Sequence, residues 1–205
     1  MASILAPLAP AELALGCGAS LALLVPFPGS VQSGSVRTAT VRALVRRLLG
    51  QLMHVQPDAL PVARTQRGKP YVEGANAIHF NVSHAQAYSL VALSRSHAIG
   101  CDIEDRFEAS DVDRLGPLVL HRDEAQAVNR LRGQERQDAF RRCWVRKEAL
   151  LKAFGSGFLE DPRHVRAEDS ALIVHEKQID AGCAAAVAGT DAICAWHLLE
   201  PSEWR

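Results

Sequence analysis

An α+β fold is predicted by this sequence, because a helical pattern followed by short strand-like runs occurs twice along its 205 residues. The two passages also echo each other faintly: Tyr88 to Leu93 ahead of Ala98 to Cys101 resembles Cys183 to Ala188 ahead of Ala192 to Ala195. A true repeat predicts two similar lobes with a cleft between them, a common place for a ligand. Short apolar runs also match by chance, so duplication and coincidence both stand at this point.

After a Pro/Gly/Ser stretch from Pro26 to Gly34, residues Val36 to Met53 set Val and Leu at helical spacing with arginines between them. That pattern is an amphipathic helix with a basic face, ended by Pro57 and Pro61. Arg67-Gly68-Lys69-Pro70 has turn chemistry, since Gly permits unusual dihedrals and Pro fixes its own. Ala77 to Val82 and Ala87 to Ser94 suit strands, and Ala98 to Ile103 suits a third. From Arg106 to Leu120 the periodicity weakens to a loop or short helical turns. Helices resume over His121 to Leu131 and Gln134 to Phe154, with Gly133 as the break and Gly155 as the stop. Beyond Pro162, strand-like runs return at Ala171 to Val174, Cys183 to Ala188 and Ala192 to Leu199.

A chain that is 48% hydrophobic and 22% charged has the composition of an ordinary globular protein. Its 23 Lys and Arg balance 23 Asp and Glu, which gives no overall bias toward nucleic acid or an anionic membrane, so any anion binding is local. Five cysteines lie scattered at 17, 101, 143, 183 and 194 without CxxC spacing, and they read as reduced core thiols of a cytoplasmic protein. The first 36 residues are apolar, with Glu12 their only charge, and Leu13 to Cys17 faintly resembles a lipoprotein cleavage site. No basic segment precedes it, and Pro7, Pro10 and Glu12 interrupt the run, so secretion is not expected. No stretch approaches the ~20 apolar residues of a membrane-spanning helix.

Two motifs concentrate chemistry. Gly100-Cys101-Asp102-Ile103-Glu104 aims two carboxylates at one face of a strand, while Ile99, Cys101 and Ile103 make the other face apolar. Trp144, Glu148 and Lys152 stand four apart on one face of the last predicted helix. If that helix packs over that strand, three carboxylates and an ammonium converge. Three oxygen ligands suit a Mg²⁺ that keeps waters and completes its shell with substrate phosphates, and a nearby lysine neutralises or protonates a phosphate oxygen. Taken singly, the first pair also reads as a solvated acidic edge and the second as a surface salt bridge worth a few tenths of a kcal/mol. Trp144 on the same stripe argues that the face is covered.

Phe80-Asn81-Val82-Ser83-His84 ends a predicted strand, where Ser83 and His84 can donate to phosphate. A lone histidine there is more often structural. A Ser–His nucleophile pair is the weaker idea, because adjacent residues seldom set hydroxyl and imidazole in productive geometry and no orienting acid is evident. Lys69 in its Gly-Pro turn and Arg37 near a helix start complete the candidate phosphate contacts.

Taken in order, Arg37, Arg67-Gly68-Lys69-Pro70-Tyr71, Phe80 to His84, Gly100 to Glu104 and Trp144 to Lys152 resemble the 4′-phosphopantetheinyl transferases of the surfactin-synthetase-activating type. The resemblance spans residues 36 to 158. It implies a pseudo-twofold α+β monomer of two similar lobes, 1–104 and 105–205, each a helix packed on a small antiparallel sheet. Coenzyme A would lie between them. Its phosphopantetheine arm would pass to a serine of an acyl, peptidyl or aryl carrier protein, releasing adenosine 3′,5′-bisphosphate.

Carried over residue by residue, the resemblance assigns Asp102, Glu104 and Glu148 to Mg²⁺, with Mn²⁺ as an alternative, and Ser83, His84 and Lys152 to the coenzyme's phosphates. Asp102 is counted with the coenzyme site as well. Gly68, Lys69 and Pro70 would lie by the adenine, and Arg37 by the 3′-phosphate. Glu148 would take the serine proton and Lys152 would stabilise the leaving phosphate. Family members often carry further basic residues ahead of the helix near Arg37, and this chain has none there. The 3′-phosphate pocket is then either thinner or more dependent on Arg37 and His84.

Carrier proteins are acidic around their modified serine, and Arg106 to Leu120, with Val112, Leu115 and Leu118, is the candidate contact segment; an ordinary loop packed on its own lobe is the plain alternative. A Mg²⁺-dependent phosphohydrolase and a silent binding module remain as rival functions, whereas nucleic-acid and membrane partners are not expected.

Overall fold

The computed structural model describes residues 6–7, 15, 20–27, 34–74, 78–155, 161–190 and 193–199. Its elements run β1 (Ala6–Pro7), β2 (Ser20–Pro26), α1 (Gly34–Met53), β3 (Val62–Arg64), β4 (Pro70–Val72), β5 (His79–His84), β6 (Tyr88–Ser94) and β7 (Gly100–Glu104). Then follow α2 (Ala109–Val119), α3 (Arg122–Arg130), α4 (Gly133–Phe154), β8 (Ile173–Asp180), β9 (Cys183–Gly189) and β10 (Ile193–Leu198). The chain is therefore α+β, as its alternating patterns predict.

Five strands form one sheet in the order β1-β10-β2-β6-β5, three form a second in the order β7-β9-β8, and β3 and β4 make a separate ribbon. Chain order and sheet membership part company at two strands. After β6, the chain leaves the first sheet and β7 pairs antiparallel with β9; after β9 it leaves the second sheet and β10 pairs parallel with β2.

Period-two burial stacks these elements in layers. The α1 stripe Val41, Leu44, Val45, Leu48, Leu49 and Leu52 packs on Leu21, Leu23, Val25, Val91 and Leu93 of the first sheet. The alternate residues of those strands, Ala22, Leu24, Leu90 and Ala92, face Cys101, Ile103, Ala185 and Val187 of the second sheet. On the far side of the second sheet, Ala186 and Ala188 meet Val145, Ala149, Leu150 and Ala153 of α4. Asp102 lies opposite Ala186 and Glu104 opposite Ala184, so both carboxylates share the face that α4 covers.

Gly100 lets α4 come that close. A Cβ there would stand 2.1 Å from the Ala149 carbonyl oxygen and 2.2 Å from the Ala153 nitrogen, both main-chain atoms of α4. Gly155 closes the helix in the left-handed region at φ 68°, as its sequence position predicts.

Three elements differ from the sequence reading. The segment expected as a loop or short turns is largely the helix α2, in which Val112, Gly116 and Val119 are buried at helical spacing and override the Gly116-Pro117 break signal. The apolar stretch ahead of α1 contains β2, an interior strand buried along nearly its whole length. The strand begun at Ala171 starts instead at Ile173 and runs on through charged residues to Asp180, half-covered at the sheet's edge. Of the lipoprotein-like stretch from Leu13 to Cys17, all but Leu15 lies outside the described residues. Cys101, Cys143 and Cys183 are free and buried, while the side chains of Cys17 and Cys194 fall outside the described residues.

Candidate active site

Where β5 and β7 run side by side they belong to different sheets, and a side chain replaces the missing ladder bond: Asn81 Oδ1 accepts from the Cys101 N–H at 2.9 Å. Two residues further along β5 and one along β7, Ser83 donates to Asp102 Oδ1 at 2.8 Å. Lys152, projecting from α4, reaches the same pair, with Nζ 2.6 Å from Asp102 Oδ1 and 3.1 Å from Ser83 Oγ. Asp102 is 2% exposed, and its Oδ2 has no hydrogen-bond partner. A buried carboxylate oxygen left bare is costly, which marks Oδ2 as the atom an incoming cation would meet.

The helical stripe read from the sequence continues about two turns back from Lys152, where Trp144 Nε1 donates to Glu104 Oε1 at 3.2 Å. Phe107 and Phe140 pack around the indole, with ring centroids 5.5 and 6.0 Å away, and hold that donor in place. Burial and the neighbouring Asp102 push the Glu104 carboxyl up to about 7, against the opposing pull of Lys152. Burial and Asp102 likewise raise Glu148. For Lys152, burial works against the charge, but its ion pair with Asp102 outweighs it and the ammonium is held more firmly than usual. Crowded carboxylates and one lysine leave this cluster short of positive charge.

Those groups suit a divalent cation by chemistry: all-oxygen donors, mutual repulsion and one bare oxygen. Among the described residues, no three carboxylate, histidine or cysteine groups already stand in metal-holding geometry. Lys152 sits on Asp102 Oδ1 and supplies the local countercharge.

Glu148, Leu151 and Lys152 form one wall of a cavity of about 320 Å³, and Arg67, Gly68, Lys69, Pro70 and Asn81 form the other. Gly68 adopts φ 81°, the conformation its turn demands. Lys69 Nζ donates to the main-chain carbonyls of Ile99 and Lys152, and burial lowers its pKa.

A second cavity, about 280 Å³, opens beside it and shares Pro70; Thr38, Arg42, Arg46, Arg64, Phe80 and His84 are in its lining. His84 Nδ1 is 2.7 Å from Ser89 Oγ, and partial burial together with the charges of Arg37 and Lys152 lowers its pKa. Arg37 lies over the Phe27 ring, 5.3 Å from its centroid, with Nη1 on the Ala85 carbonyl and Nε unpartnered. The ten residues singled out from sequence thus fall into three neighbouring groups: the Asp102 cluster, the Gly68 to Pro70 wall, and the Arg37–His84 corner.

A family profile described as "4′-phosphopantetheinyl transferase superfamily" matches residues 98–200, half of the chain, and one described as "4′-phosphopantetheinyl transferase, N-terminal" matches residues 32–96. The chain belongs to the 4′-phosphopantetheinyl transferase superfamily. The first match contains Asp102, Glu104, Glu148 and Lys152, and the second contains Arg37, Gly68 to Pro70, Ser83 and His84.

Among curated relatives, the 4′-phosphopantetheinyl transferase HetI of Nostoc sp. (strain PCC 7120) is 32% identical over 119 residues, covering 57% of this chain and 50% of that one. The 4′-phosphopantetheinyl transferase gsp of Aneurinibacillus migulanus is 29% identical over 115 residues, 56% of this chain and 46% of that one. An L-aminoadipate-semialdehyde dehydrogenase-phosphopantetheinyl transferase of Xenopus laevis is 28% identical over 127 residues, 57% and 42%. The chain spans about half the length of the curated relatives it matches.

Three residues that stand in the quoted motifs, but to which the sequence assigns no role, build this candidate site. Asn81 bridges the split between sheets, Gly100 sets the helix-to-strand distance, and Arg67 ties the cavity wall to α4 through the Gly155 carbonyl at 2.9 Å. An apolar strand carrying Asn in its middle was the available signal for the first. The other two depend on which main-chain atoms meet in space.

Proposed function

We propose that this protein transfers the 4′-phosphopantetheine arm of coenzyme A to a serine of an acyl, peptidyl or aryl carrier protein, with adenosine 3′,5′-bisphosphate as the other product. The observation that carries the reading is the contact of Lys152 with Asp102 and Ser83 beside the cavity walled by Gly68, Lys69 and Pro70. Superfamily membership supports the donor and acceptor classes.

Coenzyme A lies along the two adjoining cavities, its adenine by Gly68 to Pro70 and its 3′-phosphate toward His84 and Arg37. Arg42 and Arg64 line the second cavity and offset the lack of basic residues ahead of Arg37. Asp102, Glu104 and Glu148 would hold Mg²⁺, or Mn²⁺ in its place. When bound, that ion neutralises the pyrophosphate and polarises it for displacement.

Glu148, in the lining of the cavity next to Lys152, accepts the proton of the carrier serine, directly or through water. The serine oxygen bonds to the phosphorus next to the pantetheine arm as the bridging P–O bond breaks, and the electron pair leaves on the 5′-phosphate of the nucleotide. Lys152, held charged by Asp102, donates to phosphate oxygens whose charge grows in that step, and Ser83 does so once its hydroxyl turns from Asp102.

The carrier approaches along Arg106 to Leu120. Of the apolar residues there, Val112 is buried and Leu115 packs beside it, which leaves Leu118, 63% exposed, as the contact. We place the enzyme in the cytoplasm as a monomer of two pseudo-symmetric halves, 1–104 and 105–205. The two strand departures, β6 to β7 and β9 to β10, support that symmetry, and three free buried thiols suit a reducing compartment. No helix among the described residues is long and apolar enough to cross a membrane.

Mass spectrometry of an apo carrier incubated with coenzyme A, Mg²⁺ and the protein tests the reading. A phosphopantetheine increment on the carrier serine is expected. Coenzyme cleavage without any carrier points to a phosphohydrolase, and neither reaction across a panel of acyl and peptidyl carriers, with the fold intact, to a silent binding module.

A further inference from the structure

The C-terminal end of α4 is met by two cations from one turn. A helix leaves its last four carbonyls without internal donors and carries partial negative charge there. Lys69 Nζ donates to the Lys152 carbonyl, and Arg67 Nη1 donates to the Gly155 carbonyl at 2.9 Å. Lys69 Nζ also donates to the Ile99 carbonyl at 3.2 Å, at the doorstep of β7. It therefore joins the main chain that carries Lys152 to the main chain that leads, three residues on, to Asp102. Between the two grips lies Gly100, whose missing Cβ lets the Ala149 and Ala153 main chain of α4 sit against β7. Among the described residues, both hydrogen bonds of the Lys69 side chain go to these carbonyls, and none goes to a carboxylate.

We infer that Lys69 is a positioning residue, which clamps the last turn of α4 against the start of β7 so that Lys152 meets Asp102 and Ser83; this rests on the transfer reading above. Lys152 is then held at both ends, its carbonyl by Lys69 and its Nζ by Asp102 and Ser83. The work of Lys69 is done through the helix and not through the adenine of the coenzyme. Without it, the carbonyl end of the last turn keeps only Arg67, which is exposed, and the turn is held by the packing of Leu150, Leu151 and Ala153 and by the Lys152–Asp102 pair. A shift of about 1 Å at Lys152 is enough to cost a positioned reaction ~100-fold.

Lys69→Met removes the clamp, and Gly100→Ala forces α4 away from β7 at a point that lines neither cavity. Three measurements are made on each: kcat at saturating coenzyme A, calorimetric Kd for coenzyme A without carrier, and hydrogen exchange of the amides from 151 to 155. Both variants should lose about tenfold or more in kcat and exchange faster at the end of α4, with Kd within about twofold of the parent. The double variant should fall short of the product of the single losses. If Lys69→Met does not melt cooperatively, Lys69→Gln, which keeps an N–H for one carbonyl, takes its place.

A Kd weakened tenfold with kcat retained would make Lys69 a coenzyme contact and overturn the inference, and so would unchanged exchange in α4. Lack of transfer by the unaltered protein would instead count against the transfer reading, while hydrogen exchange still decides the clamp.

Discussion

Replacing Glu104 with Gln should remove a pH-dependent penalty that the folded protein carries in metal-free buffer. The carboxyl rises from an ordinary 4.5 to about 7, first by burial and then by repulsion from Asp102. Folding therefore favours the protonated form, so the contribution is fully present below pH 4.5 and is lost as pH rises to about 7. At about 1.4 kcal/mol per pH unit between those two values, the loss at pH 8 is about 3 kcal/mol. Glu148 shifts in the same direction and adds to the trend. Gln keeps an oxygen for the Trp144 N–H but cannot ionise, which isolates the charge from the packing. Urea unfolding in EDTA at pH 4 and pH 8 measures the difference: parent and variant should match near pH 4, and the variant should gain by about 3 kcal/mol at pH 8. Adding Mg²⁺ at pH 8 should restore much of the parent's stability and leave the variant less changed. A stability gap between the two proteins that is independent of pH would refute the argument, because it would mean that Glu104 ionises as freely folded as unfolded.

Glu148→Gln should lower transfer by at least about a hundredfold at saturating Mg²⁺ with the coenzyme's Kd little changed, and near-normal turnover would remove Glu148 as the base. His84, whose pKa is lowered by burial and by Arg37 and Lys152, should titrate higher once adenosine 3′,5′-bisphosphate is bound, and an unmoved imidazole shift by NMR would place the anion elsewhere. Arg42→Ala should raise the KM for coenzyme A several-fold, on the order of 1 kcal/mol, yet leave the KM for dephospho-coenzyme A unchanged; equal losses for both would separate Arg42 from the 3′-phosphate. Leu118→Asp should raise the KM for carrier about tenfold with the melting temperature and coenzyme affinity retained, and an unchanged carrier KM would move the docking face away from α2.

The parts legible in the sequence were those in which one periodicity settles the answer. The period of two in Gly100 to Glu104 put Asp102 and Glu104 on one face, and the structure covers that face with α4. The spacing of four from Trp144 to Lys152 put three side chains on one stripe, and the stripe delivers Trp144 to Glu104 and Lys152 to Asp102. What stayed hidden was non-local or locally contradictory. Nothing in Ser20 to Pro26 distinguishes an interior strand from any other apolar run, because the signal is its neighbours β6 and β10. The helix α2 carries Gly116-Pro117, and only the burial of Val112 and Val119 outweighs it. The β3–β4 ribbon is three residues a side, too short for alternation to show.

The same distinction explains why the candidate site lies where it does. Two strands that run together without sharing a ladder leave main-chain donors and acceptors facing each other, and here Asn81 satisfies the Cys101 N–H across that gap. The next residues along the split, Ser83 and Asp102, bond side chain to side chain across it, and Asp102 is a buried carboxylate. A buried carboxylate demands a counterion, and α4 brings Lys152 only because Gly100, and the run of alanines on β9 beside it, let the helix settle almost onto the strand. The counterion satisfies Asp102 Oδ1 and leaves Oδ2 bare, with Glu104 and Glu148 raised beside it. Each step follows from burying polar groups at a seam between two sheets, and its outcome is a charge imbalance that a phosphate-bound cation would relieve.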